Sequence, residues 1–373
     1  MIKKTLICVV GARPNFMKIA PIMKELKQLE HQLTTYLVHT GQHYDQSMKA
    51  AFFEQLGIPE PDIDLEVGSG SHSEQTANIM LRFEPVLDRI NPCAVLVVGD
   101  VNSTIACSLV AVKKQIPIIH VEAGLRSNDR EMPEEINRVL TDQISACLFT
   151  TERDAEANLL REGIAAERIH FAGNVMIDTL LANLKMAIPF RETLTAYEKP
   201  ADAIEEGGYA LLTMHRPSNV DQPEVLNSLL QSIVAVSQKL PVIFPVHPRT
   251  RQRIEQAGLS DLLASGCIIC LPPVGYLQML GLMKSAKLVL TDSGGLQEET
   301  TALGVPCVTL RENTERPITV DEGTNSIVGT DPDKIKACVN EIIATGGKSG
   351  RIPEYWDGRA ANRIVAEIQN RYL

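Results

Sequence analysis

The chain has 373 residues, 44% of them hydrophobic and 22% charged, the composition of an ordinary globular protein of two or three domains that buries roughly three-quarters of its unfolded surface. A disulfide-stapled miniprotein and a wholly disordered chain are excluded. Asp and Glu outnumber Lys and Arg by 46 to 36, for a formal net charge of −10, so the broad basic excess that a phosphate backbone requires is missing and nucleic acid is not an expected partner.

The N-terminal apolar run Thr5–Val10 stops at Gly11 and is followed by Arg13, too soon for a secretory h-region of about 7–15 residues. It reads as a first buried strand. No apolar stretch approaches the roughly 20 residues that cross a bilayer; no membrane partner is expected, and cytoplasm is the expected compartment. Strand-length β-branched runs follow at Thr35–Thr40, Ala94–Gly99, Pro117–Glu122, Leu148–Thr151 and Arg168–Ala172. Helical periodicity fills the gaps, as at Ser103–Lys114 and Glu134–Ala146, which is the pattern of βα units on a parallel sheet. The segment 189–208 is charged and poorly patterned, with Pro189, Pro200 and Gly207-Gly208, and reads as a linker. The plan then repeats, with strands at Tyr209–Met214, Val242–Val246, Cys267–Leu271, Leu288–Thr291 and Pro306–Leu310 and helices such as Glu224–Leu240 and Leu277–Ala286. A last amphipathic helix is predicted over Gly358–Leu373. Two α/β lobes are therefore expected, 1–188 and 209–355, with ligands collecting beyond the carboxyl ends of the strands and in the crevice between the lobes.

Polar residues at those strand ends carry the chemistry. Gly11-Ala-Arg-Pro-Asn-Phe-Met-Lys18 opens the first helix, where backbone amides and Arg13 suit an anion, although a plain βα turn reads the same way. The spacings G-x-G-x-x-G at this turn and G-x-x-x-x-G-K-[ST] anywhere are absent, so no nicotinamide or Walker-type site is indicated. In Thr291-Asp-Ser-Gly-Gly-Leu-Gln-Glu-Glu-Thr300, two glycines and Ser293 suit a diphosphate, with Glu298 and Glu299 expected in the first helical turn. Ser293 as a side-chain N-cap, with both glutamates easing the helix dipole, is the alternative. Asp100, Glu122 and Glu134-Glu135 are strand-end or helix-start acids. Carboxylates sharing one crevice suit removal and return of a proton, while capping again explains each singly. His215 beside Arg216, and more weakly His247, stand at strand ends where a phosphate would lie. Cys267-Ile-Ile-Cys270 has redox or zinc spacing without a second ligand pair, and His120-x-Glu122 lacks a following Pro-Cys-x-x-Cys. No metal site is expected.

Together the motifs resemble the non-hydrolysing UDP-N-acetylglucosamine 2-epimerases along nearly the whole chain. The carriers are Gly11-Ala-Arg-Pro, Gly99-Asp100, His120-Val-Glu-Ala-Gly-Leu-Arg126, Pro133-Glu-Glu-Ile-Asn-Arg138, Gly173-Asn174, Met214-His-Arg216, the Thr291 to Glu299 run and Thr314-Glu-Arg-Pro317. The resemblance implies a glycosyltransferase-B-like fold of two Rossmann-like lobes, a final helix (356–373) crossing back to the first lobe, and a homodimer without a cofactor. It implies that Arg13, His215, Ser293, Gly294 and Gly295 hold the UDP phosphates, Glu299 the ribose hydroxyls, and that Tyr276 lies beside uracil. Asp100, Glu122 and Glu134 would be the catalytic acids, with His215 counted among the catalytic set and Lys18 and Arg138 as supporting charges. The implied reaction interconverts UDP-N-acetylglucosamine and UDP-N-acetylmannosamine through elimination of UDP to 2-acetamidoglucal and its re-addition. Many bacterial members differ at Asn15-Phe16, at Gln42-His43-Tyr44-Asp45-Gln46 and at Pro217-Ser218, and the last two regions neighbour their second, activating sugar-nucleotide site. The Gly11-Ala-Arg-Pro opening also occurs in epimerases of UDP-2,3-diacetamido uronic acids, which is the alternative substrate. A UDP-sugar glycosyltransferase and a non-catalytic sensor rank lower.

Overall fold

The computed structural model describes residues 3–41, 57–201, 204 and 208–373. It divides into a first unit, Met1–Ala182 with Glu354–Leu373, and a second, Asn183–Pro353. In the first unit seven strands are β1 (Lys4–Val10), β2 (Leu33–His39), β3 (Ile63–Asp64), β4 (Ala94–Val98), β5 (Ile118–Ala123), β6 (Cys147–Thr150) and β7 (Ile169–Phe171). They lie in the order β3-β2-β1-β4-β5-β6-β7, and every pairing is parallel. The second unit has β8 (Ala210–Thr213), β9 (Val242–Pro245), β10 (Ile268–Leu271), β11 (Leu288–Thr291), β12 (Cys307–Thr309) and β13 (Asn325–Ile327). Their order is β10-β9-β8-β11-β12-β13, again parallel. These are two doubly wound, Rossmann-like α/β lobes.

Strands buried on both faces must be apolar throughout, which explains runs such as Ala94–Val98, entirely sealed from solvent. Strand order reverses between β1 and β4 in the first sheet and between β8 and β11 in the second. At such a reversal the connecting helices leave to opposite faces and open a crevice at the strands' carboxyl ends. The segments entering these two crevices are Gly11–Lys18 and Gly99-Asp100 in one unit, and His215-Arg216 and Asp292–Gly295 in the other.

Three features depart from the periodicity reading. The strands β3 and β13, of two and three residues, are too short to show a period. Part of the segment expected as a linker is folded: Phe190–Ala196 is a helix. Its Phe190 ring packs 5.1 Å from Tyr209, and the Ile188 amide donates to Leu277 O, all within the second unit. Helix Pro133–Ile144 is inside out, burying Glu135, Asn137, Arg138, Thr141 and Asp142 while exposing Ile136 and Leu140. Helix His72–Ile90 carries a readable capping box, Ser71 with Glu74.

The last helix, Ala360–Tyr372, packs on helix Arg13–Leu26 and buries Ala361, Ile364, Val365 and Ile368. No residue of its own caps it. The buried Asp178 carboxylate accepts from the Ala360 and Ala361 amides at 3.1 and 2.7 Å, a cap supplied from helix Val175–Asn183. Among the described residues no helix is long and apolar enough to cross a membrane. Replacing Asp178 by Ala orphans both amides and is expected to cost about 1.5–3 kcal/mol, lowering the thermal midpoint by several degrees. An unchanged midpoint would show that the cap contributes nothing.

Candidate active site

The first crevice begins at Gly11, where a Cβ would lie 2.0 Å from Ser103 Oγ, so only glycine lets β1 run this close to helix Asn102–Lys113. Arg13 is the first residue of its helix; its side chain falls outside the described ones, as do Gln42-His43-Tyr44-Asp45-Gln46 and Gly207. Two of the amides after β1 are already used inside the fold. The Gly11 and Ala12 amides both donate to Asn15 Oδ1, at 3.1 and 3.0 Å, and Asn15 Nδ2 donates to Val98 O. Asn15 stands at the third helical position, from which a side chain reaches back to the cap, so the peptide groups are spent on structure.

Lys18, on the same helix, is buried and donates to Glu122 Oε1 at 2.7 Å. Glu122 sits in β5 with φ of 72°, beside a register break between Val121 and Ala123, so its carboxylate leaves the strand in a direction regular pleating would not allow. Gly99, itself at φ of 67°, lies against the Lys18 ammonium, 2.7 Å from where its Cβ would be. Asp100 follows, and its Oδ2 accepts from Arg138 Nε at 3.0 Å. Asp100 is therefore not the cap of the next helix, whose cap position is Val101.

Arg138 is 2% exposed and also donates to Glu135 Oε2 at 2.5 Å. That divides the pair Glu134-Glu135. Glu135 is consumed by structure, accepting from the Ser127 amide and hydroxyl and from the Asn128 amide, each at 3.0 Å. Glu134, in the first turn of the same helix, is half-buried and makes no hydrogen bond or ion pair among the described residues. His120 is wholly buried and used inside the fold, its ring nitrogens 2.6 Å from Asp142 Oδ1 and 2.9 Å from Gly99 O. Burial alone would raise the Asp142 carboxyl; His120 and Arg126 outweigh it and hold it below the ordinary carboxylate range.

In the second unit the central group is Asp292, which sequence reasoning passed over inside its motif. Its Oδ2 accepts from the His215 and Arg216 amides at 2.9 and 2.8 Å and from Asn219 Nδ2 at 3.2 Å, while Oδ1 faces His215 Nδ1 at 3.0 Å. One carboxylate thus ties the end of β8 to the end of β11. His215 keeps 39% side-chain exposure, its Nδ1 committed to Asp292. His247 caps helix Pro248–Gln256, accepting from the Arg249 amide, with its ring 5.6 Å from that of His215.

Ser293 occupies the cap position of helix Gly294–Leu303, but its hydroxyl makes no cap bond, and no acid lies in the first turn. Both halves of the capping alternative therefore fail. Glu298 and Glu299 sit one turn further in than expected and are buried, at 0% and 3% exposure. Glu299 accepts from the buried Tyr276 hydroxyl at 3.1 Å; burial, then Glu299, pushes that phenol far above its usual range. Glu298 pairs with Arg316 at 2.7 Å, and Glu315 with Arg316, Arg311 and Arg216 at 2.6, 2.8 and 3.6 Å. A Cβ on Gly294 would strike Arg316 Nη1 and Glu315 Oε1, each at 2.6 Å. The glycine turn is thus pressed onto a cluster of three guanidiniums and two carboxylates beside a helix N-terminus, a setting that suits an anion. The signal for this cluster was Thr314-Glu-Arg-Pro317, visible as a motif but without a role until the fold set it under the glycines. Cys267 is exposed just ahead of β10 and Cys270 is half-buried within it.

Two doubly wound lobes, one with strand-end carboxylates paired to Lys18 and Arg138 and one with a glycine turn on an arginine cluster, define a sugar-nucleotide enzyme of the glycosyltransferase-B-like class. The family model described as UDP-N-acetylglucosamine 2-epimerase matches residues 24–369. The chain belongs to the UDP-N-acetylglucosamine 2-epimerase family. It is 44% identical over 362 residues to a UDP-N-acetylglucosamine 2-epimerase of Methanococcus maripaludis, covering 92% of this chain and 95% of that one. It is 40% identical to the UDP-2,3-diacetamido-2,3-dideoxy-D-glucuronate 2-epimerase of Pseudomonas aeruginosa, covering 96% and 98%. The crystal structure of Methanocaldococcus jannaschii UDP-GlcNAc 2-epimerase in complex with UDP-GlcNAc and UDP matches with a TM-score of 0.89 and 42% identity, over 98% of this chain and 99% of that one.

Burial alone would raise the Glu315 carboxyl, but Arg316, Arg311 and Arg216 override it and hold it far below the ordinary range. A depressed folded value means that the stabilisation is complete above about pH 4.3, the free glutamate value, and is lost progressively as the pH falls below it. Glu315→Gln should cost about 3–5 kcal/mol at pH 7 and flatten the loss of thermal stability between neutral and acid pH. An acid profile parallel to the parent's would contradict the assignment.

Proposed function

We propose that the chain interconverts UDP-N-acetylglucosamine and UDP-N-acetylmannosamine without hydrolysing either, the second unit holding UDP and the first acting on the sugar. The observation that supports this reading is the pairing of Lys18 with Glu122 and of Arg138 with Asp100 beyond the carboxyl ends of the first sheet's strands, with Glu134 on the helix that carries Arg138. The hydrogen on sugar C2 is not acidic, so the C1–O bond to UDP must loosen first. The positive charge that builds at C1 is stabilised by a nearby carboxylate while another takes the C2 proton. UDP leaves with the C1–O electron pair, and the C2–H pair becomes the C1–C2 double bond of 2-acetamidoglucal. Re-addition of UDP to C1, with a proton delivered to the opposite face of C2, gives the epimer.

In the second unit Ser293, Gly294 and Gly295, with Arg316 and His215, hold the diphosphate. Glu299 takes the ribose hydroxyls, and Tyr276 stands on the uracil side of that carboxylate. Lys18 holds Glu122, and Arg138 holds Asp100, in the positions the acids need. No cofactor enters the scheme. A cytoplasmic homodimer belongs to the same proposal.

A second substrate is favoured by one observation: the Pseudomonas relative that acts on a diacetamido uronic acid is nearly as similar as the N-acetylglucosamine enzymes. Comparing kcat/KM for the two UDP-sugars decides between them. Asp100→Asn and Glu122→Gln should each lower turnover by about 10²–10⁴-fold while UDP binding by calorimetry stays within a few-fold of the parent. Parent-like turnover in either variant removes that acid from the mechanism.

A further inference from the structure

The pair Asp142 and His120 binds the segments that carry Glu122 and Asp100. Asp142 comes from helix Pro133–Ile144, the same inside-out helix that presents Glu134 and Arg138. Its Oδ1 lies 2.6 Å from His120 Nδ1, and its Oδ2 accepts from the Gly124 amide at 3.1 Å and pairs with Arg126 at 2.7 Å. His120 and Gly124 are the residues two before and two after Glu122. The other side of the ring, His120 Nε2, meets Gly99 O at 2.9 Å, one residue before Asp100. A carbonyl only accepts, so Nε2 carries a proton and donates. A single carboxylate therefore grips both flanks of Glu122 and, through one ring, the turn that presents Asp100.

Both turns need such a grip. Glu122, Gly99 and Gly124 all have positive φ, of 72°, 67° and 82°, and β5 slips register at Glu122. A non-glycine residue in the left-handed region costs of order 1–3 kcal/mol and persists only where its surroundings over-determine it. Asp142 and His120 are both 0% exposed, so no water competes for their bonds. Arg126, clamped in turn by Glu162 at 2.8 and 2.6 Å, fixes the far side of Asp142.

We infer that Asp142 and His120 are positioning residues for the reaction: together they hold Glu122 and Asp100 in mutual register at the sugar, and they contribute to turnover without touching the substrate. The inference rests on the epimerase reading above. It goes beyond that reading in assigning to two sealed residues an effect on kcat that is separate from nucleotide binding, since UDP is held by the other unit.

The test uses the full-length protein and UDP-N-acetylglucosamine, with kcat, KM, UDP affinity and thermal midpoint measured on each variant. Asp142→Ala should lower kcat by about 10²-fold, the scale of a misplacement near 1 Å, with KM and UDP affinity within about threefold. Asp142→Asn is the conservative rescue. Turned so that its Nδ2 donates to His120 Nδ1 and its Oδ1 accepts from Gly124 and Arg126, the amide keeps every bond, and His120 Nε2–H still donates to Gly99. Turnover should then recover to within about tenfold of the parent. His120→Gln, which reaches Gly99 O or Asp142 but not both, should fall between the two. If Asp142→Ala does not fold, the order of Asp142→Asn above His120→Gln still decides. Parent-like kcat in Asp142→Ala, or in His120→Gln, overturns the inference; so does a loss of kcat in Asp142→Asn as deep as in the alanine variant, or a parallel collapse of UDP affinity. A parent protein that does not epimerise the sugar at all would instead refute the reading on which the inference rests.

Discussion

Arg138 is sealed from water between two carboxylates, and the first unit's site is built around that fact. A guanidinium cannot shed its charge, so a buried one must be matched in charge and hydrogen bonds or the fold pays several kcal/mol. Glu135 supplies one match and spends its remaining capacity on the loop at Ser127 and Asn128; Asp100 supplies the other. The result is an inside-out helix whose charged stripe faces the sheet and whose Ile136 and Leu140 face outward. Such a helix is a poor choice for stability alone, and it makes sense only if the charges have work at the strand ends.

The second unit solves a related problem with the charges reversed. Asp292, fully buried, draws the peptide amides of His215 and Arg216 toward β11 and fixes the His215 ring. Burial tends to raise its carboxyl, and His215 together with those amides more than offsets the effect, leaving it below the ordinary range. Beside it the arginine cluster closes on Gly294, where no side chain fits. In the second unit a buried carboxylate joins the ends of the two strands that flank the reversal, and in the first Glu122 ties the end of β5 to Lys18 on the helix that follows β1. The positions of the chemistry are therefore set by tertiary ion pairs rather than by the loops that carry the residues.

Much of this was legible in the sequence. Continuous β-branched runs alternating with helical periods give both parallel sheets, because a strand buried on two faces has no other composition available to it. The strand-end acids and the Ser293-Gly294-Gly295 turn stand out because nothing apolar demands them. The sequence was less informative on distant partnership: Asn15 reaching back to the Gly11 and Ala12 amides and Glu315 meeting Arg311 and Arg316 are local, but Asn15 reaching Val98 O and Arg216 joining Glu315 from some hundred residues away do not follow from spacing. Glu134 and Glu135 are indistinguishable in sequence, and only the fold shows that Glu135 is spent on Arg138 and a loop. Asp142 and His120, 22 residues apart, were likewise invisible as a pair. The helix Phe190–Ala196 was hidden by the charged, proline-flanked composition around it.

The central claim is that carboxylates of the first unit remove and return the C2 hydrogen of a UDP-N-acetylhexosamine. It is tested most directly by incubating the pure protein with UDP-N-acetylglucosamine in D₂O and following the anomeric and H2 proton signals by NMR. The account predicts new UDP-linked manno signals with deuterium at C2, and wash-in of deuterium at C2 of the gluco form as the reaction reverses. Substrate that stays unchanged with its C2 hydrogen intact, or release of free sugar and UDP in place of the epimer, would contradict it.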